Sequence, residues 1–325
     1  MKAIVCKTWG PPEALIVEDR APLLAEPGKV VVSVKAASVK FADTLIIQNK
    51  YQTKTDLPFI PGSEVSGIIK SVGAGVEGWK AGDRVNAQTG YGGYAEEVMA
   101  EPDRLSAIPD AMDFASATGL TSTYGTSYYA LVDRGQLRAG ETLLVLGASG
   151  GVGLAAVQIG KVLGAKVIAC ASSDEKLAVC RAHGADETIN YDHDDLRARV
   201  KAITGGNGVD VVYDPVGGAY SELALRDMAW GGRFLVIGFA AGDIPKIPLN
   251  LPLIKGCSIV GVWIGAFAKR ERAKHRANAD ALWKWFADGT LKPYASTMFP
   301  LERAADALNA LIARKVAGKV VLTTQ

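Results

Sequence analysis

Residues 143–171 read LLVLGASGGVGLAAVQIGKVLGAKVIACA, and their interpretation decides the fold. Leu143 to Leu146 make an apolar run short enough for a buried parallel strand. Gly147, Gly150 and Gly153 follow in G-x-x-G-x-x-G spacing, then a helix-patterned stretch, then a second apolar strand beginning at Lys166. Strand, glycine loop, helix and strand in that order form a nucleotide-binding βαβ unit. Its glycines permit a tight turn, close backbone approach to a pyrophosphate and packing of the helix on the strand. Ala148, Ser149, Gly151 and Val152 complete the loop. The helix N-terminus offers N–H donors and a positive dipole end to phosphate. Two other readings stay open: a structural turn in a parallel sheet, and a membrane span, because residues 142–160 carry no charge. Four glycines and a serine at the centre argue against the span.

The end of the second strand bears on the cofactor. An NAD enzyme usually places Asp or Glu there to hydrogen-bond the ribose 2′-hydroxyl. That position falls near Ala171, and the chain continues Ser172, Ser173, Asp174, Glu175, Lys176. Small hydroxyls and a lysine in place of an acid favour NADP, with Ser172, Ser173 and Lys176 on the 2′-phosphate. Asp174 keeps NAD open, since a shift of the strand end by two residues brings a carboxylate to the ribose. Lys176 has an alternative role as an exposed residue in the first turn of a helix.

At 325 residues the chain suits two domains, and 49% hydrophobic with 22% charged residues is the composition of an ordinary globular protein. A net charge of +2 gives no reason to expect nucleic acid or an anionic membrane as partner. The most basic run, residues 269–276 (KRERAKHR), also holds Glu271 and reads as a solvated helix start. Cys6, Cys170, Cys180 and Cys257 are scattered, with no C-x-x-C pair, so neither a disulfide framework nor a cysteine-rich zinc lobe is indicated. Lys7 comes too soon after the short apolar start for a signal-peptide core. These features point to a cytoplasmic protein with reduced thiols.

Up to about Ala117 the chain is rich in short alternating segments and turns. Val30, Val32 and Val34 alternate with Val31, Ser33 and Lys35, which predicts a strand. Glycines at 62, 73, 75, 82, 92 and 93 are spaced as in an irregular antiparallel barrel. Thereafter residues 117–132 predict a helix leading to the first parallel strand, and later strands are expected at 209–213, 233–237 and 258–263. Strands alternating with helices imply a doubly wound sheet. Helices are expected at 278–287 and 301–314, then a last strand at 319–323 with no parallel partner, returned to the N-terminal barrel.

Several segments together resemble the zinc-independent quinone oxidoreductase group of the medium-chain dehydrogenase/reductase superfamily. They are Pro61-Gly62-Ser63-Glu64-Val65-Ser66-Gly67, Val72-Gly73, Gly82-Asp83-Arg84-Val85, Gly93-Tyr94-Ala95-Glu96, the glycine loop, and Gly318-Lys319-Val320-Val321-Leu322, in the family's order. The resemblance spans essentially the whole chain. It implies an α/β fold in which a GroES-like, mostly-β substrate domain (1–117 and 264–325) is interrupted by a Rossmann domain (118–263), with the active site in the cleft between them. It also suggests a homodimer paired through the strand at 258–263.

The superfamily's zinc enzymes carry a catalytic Cys in the segment matching 37–43 and a His before the Glu of P-G-x-E. This chain has Ser38-Val39-Lys40-Phe41-Ala42-Asp43 and Ser63 instead. A catalytic zinc needs three good protein ligands, and a serine hydroxyl supplies neither imidazole nor thiolate. The expected reaction is therefore metal-free hydride transfer from NADPH to a quinone or to the β-carbon of an enone or enoyl thioester, where hydrogen-bond donors suffice for the delocalised anion.

Within that resemblance Tyr51 matches a tyrosine of related quinone and enoyl reductases, and its phenol suits an enolate oxygen; packing is the other role open to it. Lys40 replaces a common Asn. It is expected either to stabilise the anion or to turn to solvent or to Asp43. Asp43, Glu64 and Thr126 are expected near substrate or nicotinamide, with Glu64 buttressing the cleft, and Tyr191 flanks the 2′-phosphate. Gly238 and Phe239 complete the expected cofactor contacts. An enoyl-thioester reductase using residues 269–276 for the carrier's phosphates, and a low-turnover NADPH-binding redox sensor, are the alternatives.

Overall fold

The strand Thr142–Val145 lies inside a six-stranded, all-parallel sheet in the order Glu187–Asn190, Lys166–Ala171, Thr142–Val145, Val209–Asp214, Met228–Val236, Ser258–Gly261. Counted along the chain, this is third, second, first, fourth, fifth, sixth: the doubly wound dinucleotide-binding order. Leu143, Leu144 and Val145 are buried, as are Val167, Ile168, Val211 and Val212. Strands covered on both faces read as continuous apolar runs rather than alternating ones. Residues 142–160 are divided between this strand and the helix Gly151–Val162, which overturns the membrane reading. Among the described residues no helix is long and apolar enough to cross a membrane.

The computed structural model describes residues 1–324 and divides the chain into two units, Met1–Ser122 with everything from Pro293 onward, and Thr123–Lys292. The second boundary differs from the expected 264. Helices Ile264–Arg270 and Arg272–Ala287 stay with the nucleotide unit because their aromatic side chains are committed to its first helix. Phe267 stacks on Tyr129 at 4.0 Å, Trp285 lies 5.3 Å from Tyr128, and Phe286 meets Tyr124 edge-on at 5.1 Å. The helix expected at 117–132 is broken. Phe114–Ala117 ends at Thr118, Gly119 takes a φ of +76°, and helical structure resumes from Leu120 to Arg134.

The other unit is built on a sheet ordered Ala295–Pro300, Lys319–Thr323, Val30–Val39, Glu64–Val72, Arg84–Gln88, Leu105–Ala107, with Glu97–Ala100 also paired to Val30–Val39. Its core gathers Val30, Val32, Val34, Val65, Val85, Leu105 and Val320. The last strand joins Val30–Val39 antiparallel, as expected, but it also has a parallel partner, Ala295–Pro300, that the sequence reading missed. Ala295–Pro300 is short and half exposed, so it carries no apolar alternation to detect.

Candidate active site

In the nucleotide unit, the chain leaves Val145 and turns at Gly147, whose φ of +56° lies in the left-handed region that favours glycine. Helix Gly151–Val162 starts with Gly150 as N-cap and no capping side chain, so its first-turn amides are left for an anion. Gly153 is required by proximity: a Cβ there would lie 2.3 Å from the Gly147 carbonyl oxygen and 2.8 Å from Ala148 Cα. The loop 147–153 is thus a tight backbone cradle, with Ala148 and Ser149 buried within it. Its shape fits a dinucleotide pyrophosphate.

The carboxyl end of the second strand brings the expected 2′-phosphate residues together. Lys176 Nζ donates to Ser172 Oγ at 2.9 Å, and Ser173 caps the helix Asp174–Ala182 by accepting from the Lys176 N–H. Asp174 accepts from Asn190 Nδ2 at 3.0 Å, which engages the carboxylate that had kept NAD open. Tyr191 follows directly and packs on Tyr220 with ring centroids 4.4 Å apart. A lysine, two serines and a tyrosine are the donor set a phosphate monoester needs.

Where the sheet order reverses, Asp214 ends the fourth strand and is buried. One carboxylate oxygen accepts from the Val216 and Gly217 N–H groups, and the other from Ser221 Oγ at 2.5 Å. Burial pushes its pKa up while these bonds hold it down. Gly238 is tied to the same turn, its N–H reaching the Asp214 carbonyl at 3.3 Å, and Phe239 packs so closely that a Cβ on Gly217 would meet its ring at 2.9 Å. Thr126 lies in the helical turn Gly125–Tyr128. Its neighbour Ser127 donates to the Val152 carbonyl at 2.8 Å and accepts from the buried Tyr213 hydroxyl at 2.9 Å, which fastens that turn to the phosphate loop. Tyr213 and Asp214 were missed in the sequence, although two polar residues closing the apolar strand VDVVYD were a usable signal.

In the other unit, Lys40 stands before the helix Phe41–Ile46. Its backbone N–H donates to Asp43 Oδ2 at 2.8 Å, and the same oxygen accepts from Tyr94 Oη at 2.9 Å. The Lys40 ammonium turns instead to Ser63, with Nζ 2.6 Å from Oγ. Burial raises the Asp43 pKa, opposed by the Lys40 charge, and burial beside Asp43 lifts Tyr94 well above an ordinary phenol. Tyr51 feels the same carboxylate: burial, then the Asp43 charge, then Tyr91 raise its pKa, which keeps its phenol protonated. Lys40, Asp43, Ser63 and Tyr94 are joined by hydrogen bonds from three separate stretches of chain.

Glu64 and Asp43 do not offer a surface to substrate. Glu64 is fully buried, and its oxygens accept from Asn86 Nδ2 and from the N–H groups of Thr121 and Ser122. Lys319 holds the preceding turn from the other side, donating to the carbonyls of Ser116 and Thr118 at 2.7 Å each. Both residues are anchors of the chain between 115 and 122. Among the described residues no three His, Cys, Asp or Glu side chains are grouped as metal ligands.

A doubly wound unit with a glycine phosphate loop, joined to a GroES-like unit carrying polar donors, defines a dinucleotide-dependent oxidoreductase. The alcohol dehydrogenase GroES-like domain family matches residues 26–110, and the zinc-binding dehydrogenase family matches 151–280. Quinone oxidoreductase-like protein 2 homolog of Nematostella vectensis is 39% identical over 328 residues, covering 100% of this chain and 89% of the relative. Human quinone oxidoreductase is 33% identical, covering 99% and 97%. The crystal structure of Escherichia coli quinone oxidoreductase complexed with NADPH superposes with a TM-score of 0.91 at 30% identity, over 99% of this chain and 100% of that one. The chain belongs to the quinone oxidoreductase group of the medium-chain dehydrogenase/reductase superfamily.

Proposed function

We propose that the protein is an NADPH-dependent, zinc-independent reductase of quinones or activated carbon–carbon double bonds. The observation that carries this reading is the lysine–serine pair at the end of the second strand, with Lys176 Nζ on Ser172 Oγ and Asp174 drawn to Asn190. It selects a 2′-phosphate over a bare ribose. NADPH, when bound, would supply the hydride for the acceptor. Residues 147–153 hold the pyrophosphate, and Ser172, Ser173, Lys176 and Tyr191 the 2′-phosphate. Lys40 and Tyr51 donate to the acceptor oxygen that gathers charge, in the role a metal takes in zinc relatives. The site of those relatives' ligands holds Ser63 and Lys40 here, a hydroxyl and an ammonium that make a poor zinc pair.

The enoyl-thioester alternative is weakened by residues 269–276, because Lys274 pairs with Asp133 at 2.8 Å and Arg276 with Asp280 at 3.1 Å. Those two cations of the run are engaged within the unit. A homodimer is supported by the edge position of Ser258–Gly261, beside which Ile259 and Trp263 are exposed; light scattering tests it. A cytoplasmic setting is supported by four free thiols. NADPH oxidation screened against 1,4-benzoquinone, 2-cyclohexenone and crotonyl-CoA tests the function. Turnover of the quinone or the enone supports the proposal. Turnover of the thioester alone moves it to the enoyl-thioester class. No turnover with any of the three leaves an NADPH-binding sensor.

A further inference from the structure

We propose that Ser63 is a positioning residue that holds the Lys40 ammonium against the acceptor's oxygen, selecting acceptors whose reduction concentrates negative charge on one carbonyl oxygen. This rests on the reductase reading above and adds to it a residue and a preferred acceptor, the α,β-unsaturated ketone.

A lysine side chain is long and mobile, so an ammonium serves an oxyanion well only if something holds it. A carboxylate would hold it and cancel its charge as well. Ser63 holds it with a neutral oxygen 2.6 Å from Nζ; the Asp43 carboxylate feels the Lys40 charge, but it bonds the Lys40 backbone N–H and the Tyr94 hydroxyl rather than the ammonium. The two remaining ammonium hydrogens are then donors held at one place.

Ser63 is itself immobilised from several sides. Its carbonyl accepts from the N–H groups of Thr89 and Gly90. Gly62 before it has a φ of +87°, and a Cβ there would meet the Tyr94 ring at 2.3 Å; Glu64 after it is fully buried and triply hydrogen-bonded. The other end of Lys40 is fixed by the Asp43 carboxylate, which Tyr94 holds. Backbone and side-chain tip of the lysine are thus pinned independently.

The preference follows from where electrons go. When hydride adds to the β-carbon of an enone, the alkene electron pair moves to the carbonyl oxygen as an enolate, and a proton taken up at the α-carbon completes the saturated ketone. A quinone spreads the corresponding charge over its ring and second oxygen, so a fixed cation matters less to it.

The test compares wild type, Ser63→Ala, Ser63→Thr, Lys40→Met and the Lys40→Met/Ser63→Ala pair, with NADPH and either 2-cyclohexenone or 1,4-benzoquinone. Ser63→Ala is expected to lower kcat on cyclohexenone roughly tenfold, short of the ~10²–10³ that losing an oxyanion donor costs. Benzoquinone turnover is expected to fall no more than about twofold and KM for NADPH to stay unchanged. Ser63→Thr keeps the hydroxyl and restores the rate. The double variant is no slower than Lys40→Met, because Ser63 acts through the lysine.

A readout independent of turnover is the apparent pKa of 4-nitrophenol with protein in excess and no cofactor. Wild type and Ser63→Thr lower it, and Ser63→Ala returns it toward the free value. Equal cyclohexenone kcat in Ser63→Ala and wild type, or additive loss in the double variant, overturns the proposal. If wild type reduces neither acceptor, the reductase reading falls and nitrophenol decides the pair alone: a shift lost in Ser63→Ala upholds the held ammonium, and no shift overturns it.

Discussion

The phosphate loop of the nucleotide unit and the Lys40 group of the other unit are assembled in opposite ways. The loop is contiguous, and what it does it does with backbone: Gly147 turns, Gly150 opens the helix, and Gly153 lets that helix come down on the strand. The Lys40 group draws Lys40 and Asp43, Ser63 and Tyr94 from separate stretches and works through side chains. A backbone site depends on what is absent from a residue, and a side-chain site on what is present. Substitutions should therefore damage the two in different currencies, affinity and folding in one, turnover in the other.

The largest effect is expected on the side-chain site. Lys40→Met should lower kcat on cyclohexenone by about 10²–10³, the cost of losing one oxyanion donor, with NADPH affinity intact. Steady-state kinetics beside a fluorescence titration of NADPH checks both. Equal loss in affinity would erase the contrast between the two regions.

Next, Lys176→Ala should weaken NADPH binding about tenfold to a hundredfold, from roughly 1.5–3 kcal/mol for a charge-assisted hydrogen bond, while NADH binding stays the same. Native protein that binds both cofactors equally would point back to Asp174. Gly153→Ala should cost about 1–3 kcal/mol of stability, since its Cβ meets a backbone carbonyl that has nowhere to go. Denaturant unfolding measures that cost, and the kcat of whatever remains folded should be close to native. Tyr51→Phe keeps the ring and removes only the hydroxyl; enone turnover should drop more than quinone turnover, which is expected to fall about twofold to fivefold.

The smallest effect concerns Lys319, whose pKa burial pushes down to about 8 against the opposing charges of Glu64 and Asp113. An unfolded lysine keeps its proton to about 10.4. Between these values the unfolded chain binds more protons than the native one, so this residue adds stability as pH rises through that window. Compared with Lys319→Met, wild type should gain in unfolding midpoint from pH 7.5 to pH 10, and parallel pH profiles would show that the amine is not buried in solution.

The doubly wound sheet was legible because its first strand, glycine loop and helix are local. The place of Ser172, Ser173 and Lys176 after a strand was legible for the same reason, since an apolar run marks that strand's end; Tyr191, singled out through the family resemblance, follows the next strand. The domain boundary at 293 was not legible, since the helices at 264–270 and 272–287 have no pattern that says which unit they join; Phe267, Trp285 and Phe286 say it through ring contacts. Ala295–Pro300 was missed for want of alternation, and the pairing of Tyr213 with Ser127 for want of proximity in sequence.

For Lys40 the sequence by itself determined a cation where relatives commonly have an amide, and left three destinations open: substrate, solvent or Asp43. Only the tertiary structure decided that its backbone goes to Asp43 and its ammonium to Ser63. The physical reason is that a glycine loop encodes its conformation in its own residues, through steric limits that act within a few bonds. The position of a lysine's tip, four carbons from the chain, is set by whichever strand passes beside it, and here that is the start of Glu64–Val72, brought alongside Val30–Val39 by sheet pairing.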